Sequence, residues 1–309
     1  MHRIEYVPMV SIMVVMYNPV SEKLFFTLDS LIGQKEIDFE IVITDDGSKE
    51  NLFDVIEVYM EEHTFKNYKL VAHEKNRGTV ANVYDGLKKC DGKYVKLLGP
   101  GDALIDDTAL TKWVGHLIGS EKKWSFCNVI NYRRNQGIVK KESLFAHPQM
   151  MKPYIREDTD GIRWNYLILN DLVTGVAMLC DKKILLKYIG KMVGRVIYAD
   201  DNCYRLMNFY GEVASYYDCA LVLYEVGEGI STSGNEEWSR RIQADWITTN
   251  EIMKEEACRG DEYQMKLLKN LNRINVTDNV VTKFFKMVTC KTGLKYVIKR
   301  IICPRMTQI

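Results

Sequence analysis

Phe39-Glu-Ile-Val-Ile-Thr-Asp-Asp-Gly-Ser48 is a short, nearly continuous apolar run that stops on two aspartates, a glycine and a serine. A run of this length, rich in β-branched residues, reads as a strand buried on both faces, and the residues that end it are those that turns prefer. The pattern repeats on either side. Upstream, Val10-Ser-Ile-Met-Val-Val-Met16 is a second such run, followed by Leu24, Leu28, Leu31 and Ile32 at helical spacing. Downstream come a helix carrying Leu52, Val55, Ile56 and Tyr59, a strand from Tyr68 to Ala72, a helix from Thr79 to Lys89 and a strand from Tyr94 to Leu98. Four strand and helix steps in about 90 residues predict parallel strands covered by helices on both faces. Such sheets bind ligands beyond the carboxyl ends of their strands, so that is where chemistry is expected.

Composition narrows the function classes. The chain has 309 residues, 47% of them apolar, and 42 Lys and Arg against 41 Asp and Glu leave a formal charge of +1. Disorder is excluded, and no global field would recruit nucleic acid. No apolar run approaches the roughly 20 residues that cross a bilayer. The run from Met9 to Tyr17 is broken by Asn18-Pro19 and lacks a basic leader and a small-residue cleavage site, so it reads as a strand. A cytoplasmic location is expected. Eight cysteines form no C-x-x-C pair and five histidines show no metal-ligand spacing, which leaves reduced thiols and no zinc site.

Further strands are predicted from Trp124 to Tyr132, Gly137 to Leu144, Val173 to Cys180 and Val213 to Leu223, with a helix from Asp201 to Tyr210. Helices then run from Glu236 to Ala257, Tyr263 to Ile274 and Asn279 to Cys303. The organisation is one mixed α/β domain over residues 1–235 and a helical C-terminal extension over 236–309.

Three loops after strand ends are polar in a specific way: Met16-Tyr17-Asn18-Pro19, Thr44-Asp45-Asp46-Gly47-Ser48 and Gly99-Pro100-Gly101-Asp102. Adjacent aspartates repel unless hydrogen-bond donors, a helix N-terminus or a metal ion compensates them. Ser48 and the following helix offer part of that. Read alone, the stretch is equally a turn followed by a helix N-cap.

Taken together, Val10-Ser-Ile-Met-Val-Val-Met-Tyr-Asn18, Leu28-Asp-Ser-Leu-Ile-Gly-Gln34 and Glu40-Ile-Val-Ile-Thr-Asp-Asp-Gly-Ser48 resemble, in order and spacing, the N-terminal signature of the family 2 inverting glycosyltransferases of the GT-A fold. Asn76-Arg77-Gly78 with Asn82 resembles the next block, and Gly99-Pro-Gly-Asp102 stands where that family has its metal-binding aspartates. The resemblance is strong over residues 9–105 and weaker over 170–245. It implies a Rossmann-like, mostly parallel sheet with a nucleotide-binding half near 9–105 and an acceptor half near 106–235. It also implies a nucleotide-sugar donor of the UDP-sugar kind, its base and ribose held by Tyr17, Asn18, one or both of Asp45 and Asp46, and Arg77, with Gly101 in the same donor-binding set. Asp102 would meet the diphosphate through Mg²⁺ or Mn²⁺, which suits a leaving group that gathers negative charge where no basic phosphate loop is present. The departure is that Gly99 and Gly101 replace the first two acids of the usual motif.

Inversion needs a base for the acceptor hydroxyl. Tyr198-Ala-Asp200-Asp201-Asn202, ahead of a helix with Tyr204, Leu206 and Met207, resembles the family's acidic pair at the acceptor site, with Asp201 as base and Asp200 as its neighbour. Burial would raise such a carboxylate towards the working pH. The other reading is a simple N-cap. Asp158 and Asp160 are poorer candidates. The stretch Tyr224-Glu-Val-Gly-Glu-Gly-Ile-Ser-Thr-Ser-Gly234 reads either as a cover for the donor or as a surface loop. The Gln-x-x-Arg-Trp signature of processive synthases is absent, which favours transfer of one sugar to a glycan or lipid-linked acceptor, in keeping with surface-polysaccharide members of the family.

The tail carries Lys283, Lys286, Lys291, Lys295, Lys299, Arg300 and Arg305, interleaved with apolar residues and with no acid after Asp278. Such a helix can lie on the inner face of an anionic membrane, or pack on the catalytic domain with its lysines solvated. Two rivals stand beside the transferase. A nucleotidyltransferase would need a glycine-rich basic loop after the first strand, which Met16-Tyr17-Asn18-Pro19-Val20 lacks; a nucleotide-sugar binder without turnover is supported by Gly99 and Gly101.

Overall fold

The computed structural model describes residues 8–135, 138–145, 148–227, 236–257, 261–271, 280–289 and 293–302. Its first third is the predicted alternation: β1 (Val10–Met16), α1 (Ser21–Ile32), β2 (Phe39–Asp45), α2 (Phe53–Glu62), β3 (Tyr68–Ala72), α3 (Thr79–Lys89) and β4 (Tyr94–Leu98). There follow β5 (Ala103–Leu104), α4 (Ala109–Gly119), β6 (Trp124–Asn135), β7 (Ile138–Phe145), α5 (Lys152–Ile155), α6 (Thr159–Ile168), β8 (Met178–Asp181), α7 (Lys182–Met192), α8 (Asn202–Phe209) and β9 (Ser215–Glu225). The C-terminal helices are α9 (Glu236–Glu256), α10 (Glu262–Leu271), α11 (Val280–Val288) and α12 (Gly293–Ile302).

Among the described residues nine strands form one sheet in the order β3-β2-β1-β4-β8-β6-β9-β5, with β7 beside β6. The strands from β3 to β4 along that order are mutually parallel, and β8 runs antiparallel to both β4 and β6. Met16 pairs with Asp45 and Asp45 with Ala72, so the carboxyl ends of these strands line up and their loops open on one edge. Every residue of β2 is buried. Helices cover the sheet with apolar stripes, Leu24, Leu28 and Leu31 on α1, Val80, Val83 and Leu87 on α3, and Leu185, Ile189 and Met192 on α7. That is the physical reason β1 and β2 read as unbroken apolar runs and not as alternating ones.

Several elements differ from the sequence reading, among them β5 and α5, which it did not contain. Of the stretch from Val173 to Cys180 only Met178–Asp181 is strand, because Gly175–Ala177 forms a 3₁₀ turn whose Val176 carbonyl accepts a hydrogen bond from the buried Lys96 ammonium of β4. The helices α6 and α7 were not predicted; each is opened by an aspartate cap, Asp158 accepting from the Gly161 N–H and Asp181 from those of Lys183 and Ile184. Of the helix predicted from Asn279 to Cys303, the described residues form two helices, Val280–Val288 and Gly293–Ile302.

Ile252 and Met253 of α9 and Leu267 and Leu271 of α10 belong to the same hydrophobic core as the strands. The tail helices α11 and α12 pack on each other, and Val281, Phe285, Leu294 and Ile298 on them are exposed. No helix among the described residues is long and apolar enough to cross a membrane.

Candidate active site

The loops after β1 and β2 are tied together. Asn18 takes a left-handed conformation (φ 46°), donates its N–H to Ser48 Oγ at 2.6 Å and accepts the Lys49 N–H at 3.3 Å. Asp45, 1% exposed, accepts the Ser48 N–H at 2.8 Å and the Ser48 hydroxyl. Asp46 accepts the backbone N–H groups of Arg77 at 2.8 Å and Gly78 at 2.9 Å, with His73 Nδ1 at 3.4 Å. The neighbouring carboxylates therefore face separate donor sets, which removes the cost of placing them side by side. The helix gives no help: α2 starts at Phe53 behind Leu52, so the turn is real and the N-cap is not. The Arg77 guanidinium lies on Asp85 at 2.7 Å, and Tyr17 stands exposed at the rim.

After β4, Gly101 (φ 106°) donates its N–H to the Lys23 carbonyl at 3.1 Å and to Thr27 Oγ1 at 3.0 Å, and its carbonyl accepts the Tyr132 hydroxyl. Both backbone groups are engaged inside the protein, so Gly101 contributes clearance: a Cβ there would fall on the Glu225 carboxylate. Asp102 accepts the N–H groups of Glu225 at 3.2 Å and Gly99 at 3.3 Å, yet burial pushes its pKa up to about 7. Lys96, 0% exposed, is the cation that opposes this rise, and burial in turn brings its own pKa down to about 8.

Glu225, at the end of β9, is a residue the sequence reading left unassigned. It pairs with Lys23 at 2.9 Å beside Asp102. Nothing local marks it, since its place depends on the parallel pairing of β9 with β6, which carries the strand end to the β4 loop. Among the described residues no three His, Cys, Asp or Glu side chains gather closely enough to hold a metal alone. Asp102 with Glu225 alongside fits a hard divalent cation that takes its remaining ligands from phosphate oxygens and water.

The second acidic centre opens α8. Asp201 occupies the N-cap position and makes no side-chain capping bond, so the simple cap is not what this carboxylate does. Burial raises both pKa values. The Asp201 charge adds to this at Asp200, which is pushed up to about 7, whereas Arg205 opposes it at Asp201. Arg205, 2% exposed, donates to Asn170 at 3.1 Å and Asn250 at 3.3 Å and lies over the Trp246 ring at 4.2 Å. Asp158 caps α6, and Asp160 is 3.9 Å from Arg163 on the same helix, so neither joins the acidic pair.

The two centres are physically linked. Lys96, next to Asp102, holds the Val176 carbonyl, and the adjacent Gly175 faces Asp201, where a Cβ would lie 3.5 Å from the Asp201 Cβ. Of the predicted set, the structure ties Asn18 and Asp45 together through Ser48, places Asp46 beside them on the Arg77 and Gly78 N–H groups, sets Gly101 and Asp102 together after β4, and sets Asp200 and Asp201 together at the start of α8. The stretch 228–235 lies outside the described residues.

The family model described as Glycosyl transferase family 2 matches residues 11–184, more than half of the chain. The chain belongs to glycosyltransferase family 2. Its fold is GT-A-like. Over 100 residues this glycosyltransferase is 34% identical to poly-beta-1,6-N-acetyl-D-glucosamine synthase of Staphylococcus epidermidis, a match covering 32% of this chain and 23% of that protein. A glycosyltransferase of Rickettsia bellii is 27% identical over 93 residues, 30% of this chain and 13% of that one. The chain thus matches less than a quarter of the length of these relatives. Among solved structures it is similar to S. aureus TarS 1-349 in complex with UDP, with a TM-score of 0.56 at 14% identity over 94% of this chain and 78% of that one. It is also similar to the mannosyltransferase PcManGT from Pyrobaculum calidifontis in complex with GDP-Man and Mn²⁺, with a TM-score of 0.60 at 14% identity over 98% and 78%.

Proposed function

We propose that this glycosyltransferase transfers a single sugar, with inversion, from a UDP-sugar to a hydroxyl of a glycan or lipid-linked acceptor in cell-surface polysaccharide synthesis. The observation that carries the reading is the placement of two acidic centres around one buried segment: Lys96, whose charge acts on Asp102, donates to the Val176 carbonyl, and the adjacent Gly175 packs against Asp201. One centre suits a diphosphate and the other a proton acceptor, as an in-line displacement requires. The UDP and UDP-GlcNAc complexes of S. aureus TarS and the poly-N-acetylglucosamine relative support a uridine donor.

In this account the base and ribose lie over Tyr17, Asn18, Asp45 and Asp46, with Arg77 and Gly101 bordering the site. Asp102, with Glu225 beside it, would hold Mg²⁺ or Mn²⁺, which when bound neutralises charge on the diphosphate. Asp201 takes the proton of the acceptor hydroxyl while that oxygen forms a bond to the anomeric carbon. The bond from that carbon to the diphosphate oxygen breaks on the opposite face, and its electron pair leaves with UDP. Burial raises the pKa values of Asp200 and Asp201, which suits a proton acceptor, and Arg205 opposes the rise at Asp201. The exposed apolar residues and lysines of α11 and α12 would place the enzyme on an anionic membrane, near a lipid-linked acceptor.

The test is Asp201→Ala, assayed for UDP release from UDP-N-acetylglucosamine and other UDP-sugars and for UDP binding. The expected result is a fall in turnover of at least about 100-fold with UDP affinity within about threefold. Turnover unchanged by the substitution would remove Asp201 from the reaction, and UDP binding by a chain without turnover would leave a nucleotide-sugar binder.

A further inference from the structure

The acidic pair at the start of α8 is not held by the α/β domain alone. One carboxylate of α9, Asp245, 5% exposed, accepts three consecutive backbone N–H groups, those of Ile197 at 3.0 Å, Tyr198 at 2.7 Å and Ala199 at 2.9 Å. These are the residues that lead directly into Asp200 and Asp201. Hydrogen bonds to an ionised acceptor are the strong ones, and three on one side chain fix a segment in both position and direction.

The neighbours on α9 act on the same segment at helical spacing. One turn before, Arg241 donates to the Tyr198 hydroxyl at 3.1 Å and lies over the Trp238 ring at 4.9 Å. One turn after, Thr249 Oγ1 accepts from Asn202 Nδ2 at 3.0 Å. Arg241, Asp245 and Thr249 therefore form a polar stripe that grips residues 197–202 from one side. The other side of the segment meets the donor loop: the Val80 N–H donates to the Ile197 carbonyl at 3.0 Å, and Gly78, whose N–H is held by Asp46, has room for no side chain against Ile197.

We infer that Asp245 is a positioning residue for glycosyl transfer, fixing the strap of residues 197–199 so that Asp200 and Asp201 face the donor. This deepens the proposed function and rests on it. A misplacement of about 1 Å at a reacting group can cost on the order of 100-fold in rate, which makes such an anchor part of the machinery even though it touches no substrate. The charge also acts on Asp201. The charged and titratable groups facing Asp201 are Asp200 and Arg205 of its own segment, Tyr166 of α6 and Asp245 of α9. Of these, Asp245 and Asp200 are the acids, and removing the Asp245 charge lowers the pKa of Asp201.

The test compares Asp245→Asn, Asp201→Ala and the unaltered chain by kcat, KM and pH profile for release of UDP from UDP-N-acetylglucosamine, with GDP-mannose as the second donor. Asp245→Asn keeps size and one acceptor oxygen and removes the charge. The expected result is a kcat lower by at least about tenfold, a donor KM within about threefold and an acid limb moved to lower pH by about half a unit. Amide hydrogen exchange of residues 197–199 should quicken by at least about tenfold in the same variant, with β1 and β2 unaffected. A variant whose kcat stays within about twofold, or whose acid limb does not move, overturns the inference and leaves Asp245 as a structural anchor. If Asp245→Asn does not fold, Thr249→Val removes the Asn202 partner and is read the same way, with a kcat loss of at least about threefold expected and none overturning the inference. Turnover lost in Asp201→Ala but kept in Asp245→Asn rejects the positioning role only, whereas no turnover by the unaltered chain on either donor rejects the proposed function and this inference with it.

Discussion

At the scale of single residues, Gly99 and Gly101 are the places where the chain departs from an acidic motif, and they are not equivalent. Gly101 has a φ of 106° and a Cβ there would fall on Glu225, whereas a Cβ on Gly99 would lie 3.6 Å from the Asp102 carboxylate in ordinary contact. Restoring an acid at 101 therefore combines a disfavoured backbone, worth roughly 1–2 kcal/mol, with a collision and a like-charge contact. Gly101→Asp should lose at least about 2 kcal/mol in urea unfolding, and Gly99→Asp should fall within about 1 kcal/mol of the parent. Equal tolerance at the two positions would contradict the assigned geometry. The residues proposed to carry the chemistry, Asp45, Asp46, Asp102, Asp200 and Asp201, stand out in the sequence because each lies at the end of a local strand or ahead of a local helix. Glu225, Lys23, Lys96 and Asp245 do not. Each acts on a segment far away in sequence, and a lysine such as Lys96 in mid-strand gives no sign that it is fully buried over the Trp113 ring at 5.0 Å.

At the scale of elements, the end of β4 and the start of α8 each bury a carboxyl whose pKa is raised, Asp102 and Asp200 both to about 7. The cause in both is removal from water, so the folded state binds more protons than the unfolded chain between about pH 4 and pH 7. These groups contribute stability that is full below about pH 4 and is lost as the pH rises through about 7. Asp200→Asn should flatten that dependence, gaining stability over the parent at pH 8 relative to pH 5 when thermal midpoints are compared in metal-free buffer. The same difference between variant and parent at pH 5 and at pH 8 would show that the carboxyl is already ionised in the fold throughout that range. The alternation from β1 to β4 was legible as continuous apolar runs separated by amphipathic stretches. The turn at Gly175–Ala177 was not, because it is strand-like in composition and is set by Lys96 reaching Val176 from β4.

At the scale of the whole molecule, the helical extension seen in the sequence contributes α9 and α10 to the central core, and α9 also supports the acidic pair. The part left over is α11 and α12. Seven basic residues and no acid after Asp278, with Phe285 at 61% and Val281 at 63% exposure, fit adsorption to an anionic surface. The chain should sediment with phosphatidylserine-containing vesicles at low salt and not with phosphatidylcholine alone, and Phe285→Asp should weaken that binding by several-fold. Equal recovery with both vesicle types would reject an electrostatic docking surface.

The edge formed by the loops after β1, β2 and β4 is proposed to bind a nucleoside diphosphate with a divalent cation at Asp102. Calorimetric titration of UDP into the chain, with Mn²⁺ and again with a chelator, measures this. Binding should weaken at least about tenfold on chelation and equally in Asp102→Asn with Mn²⁺ present. No binding of UDP or GDP by the folded chain, or binding indifferent to both the chelator and the substitution, would contradict it.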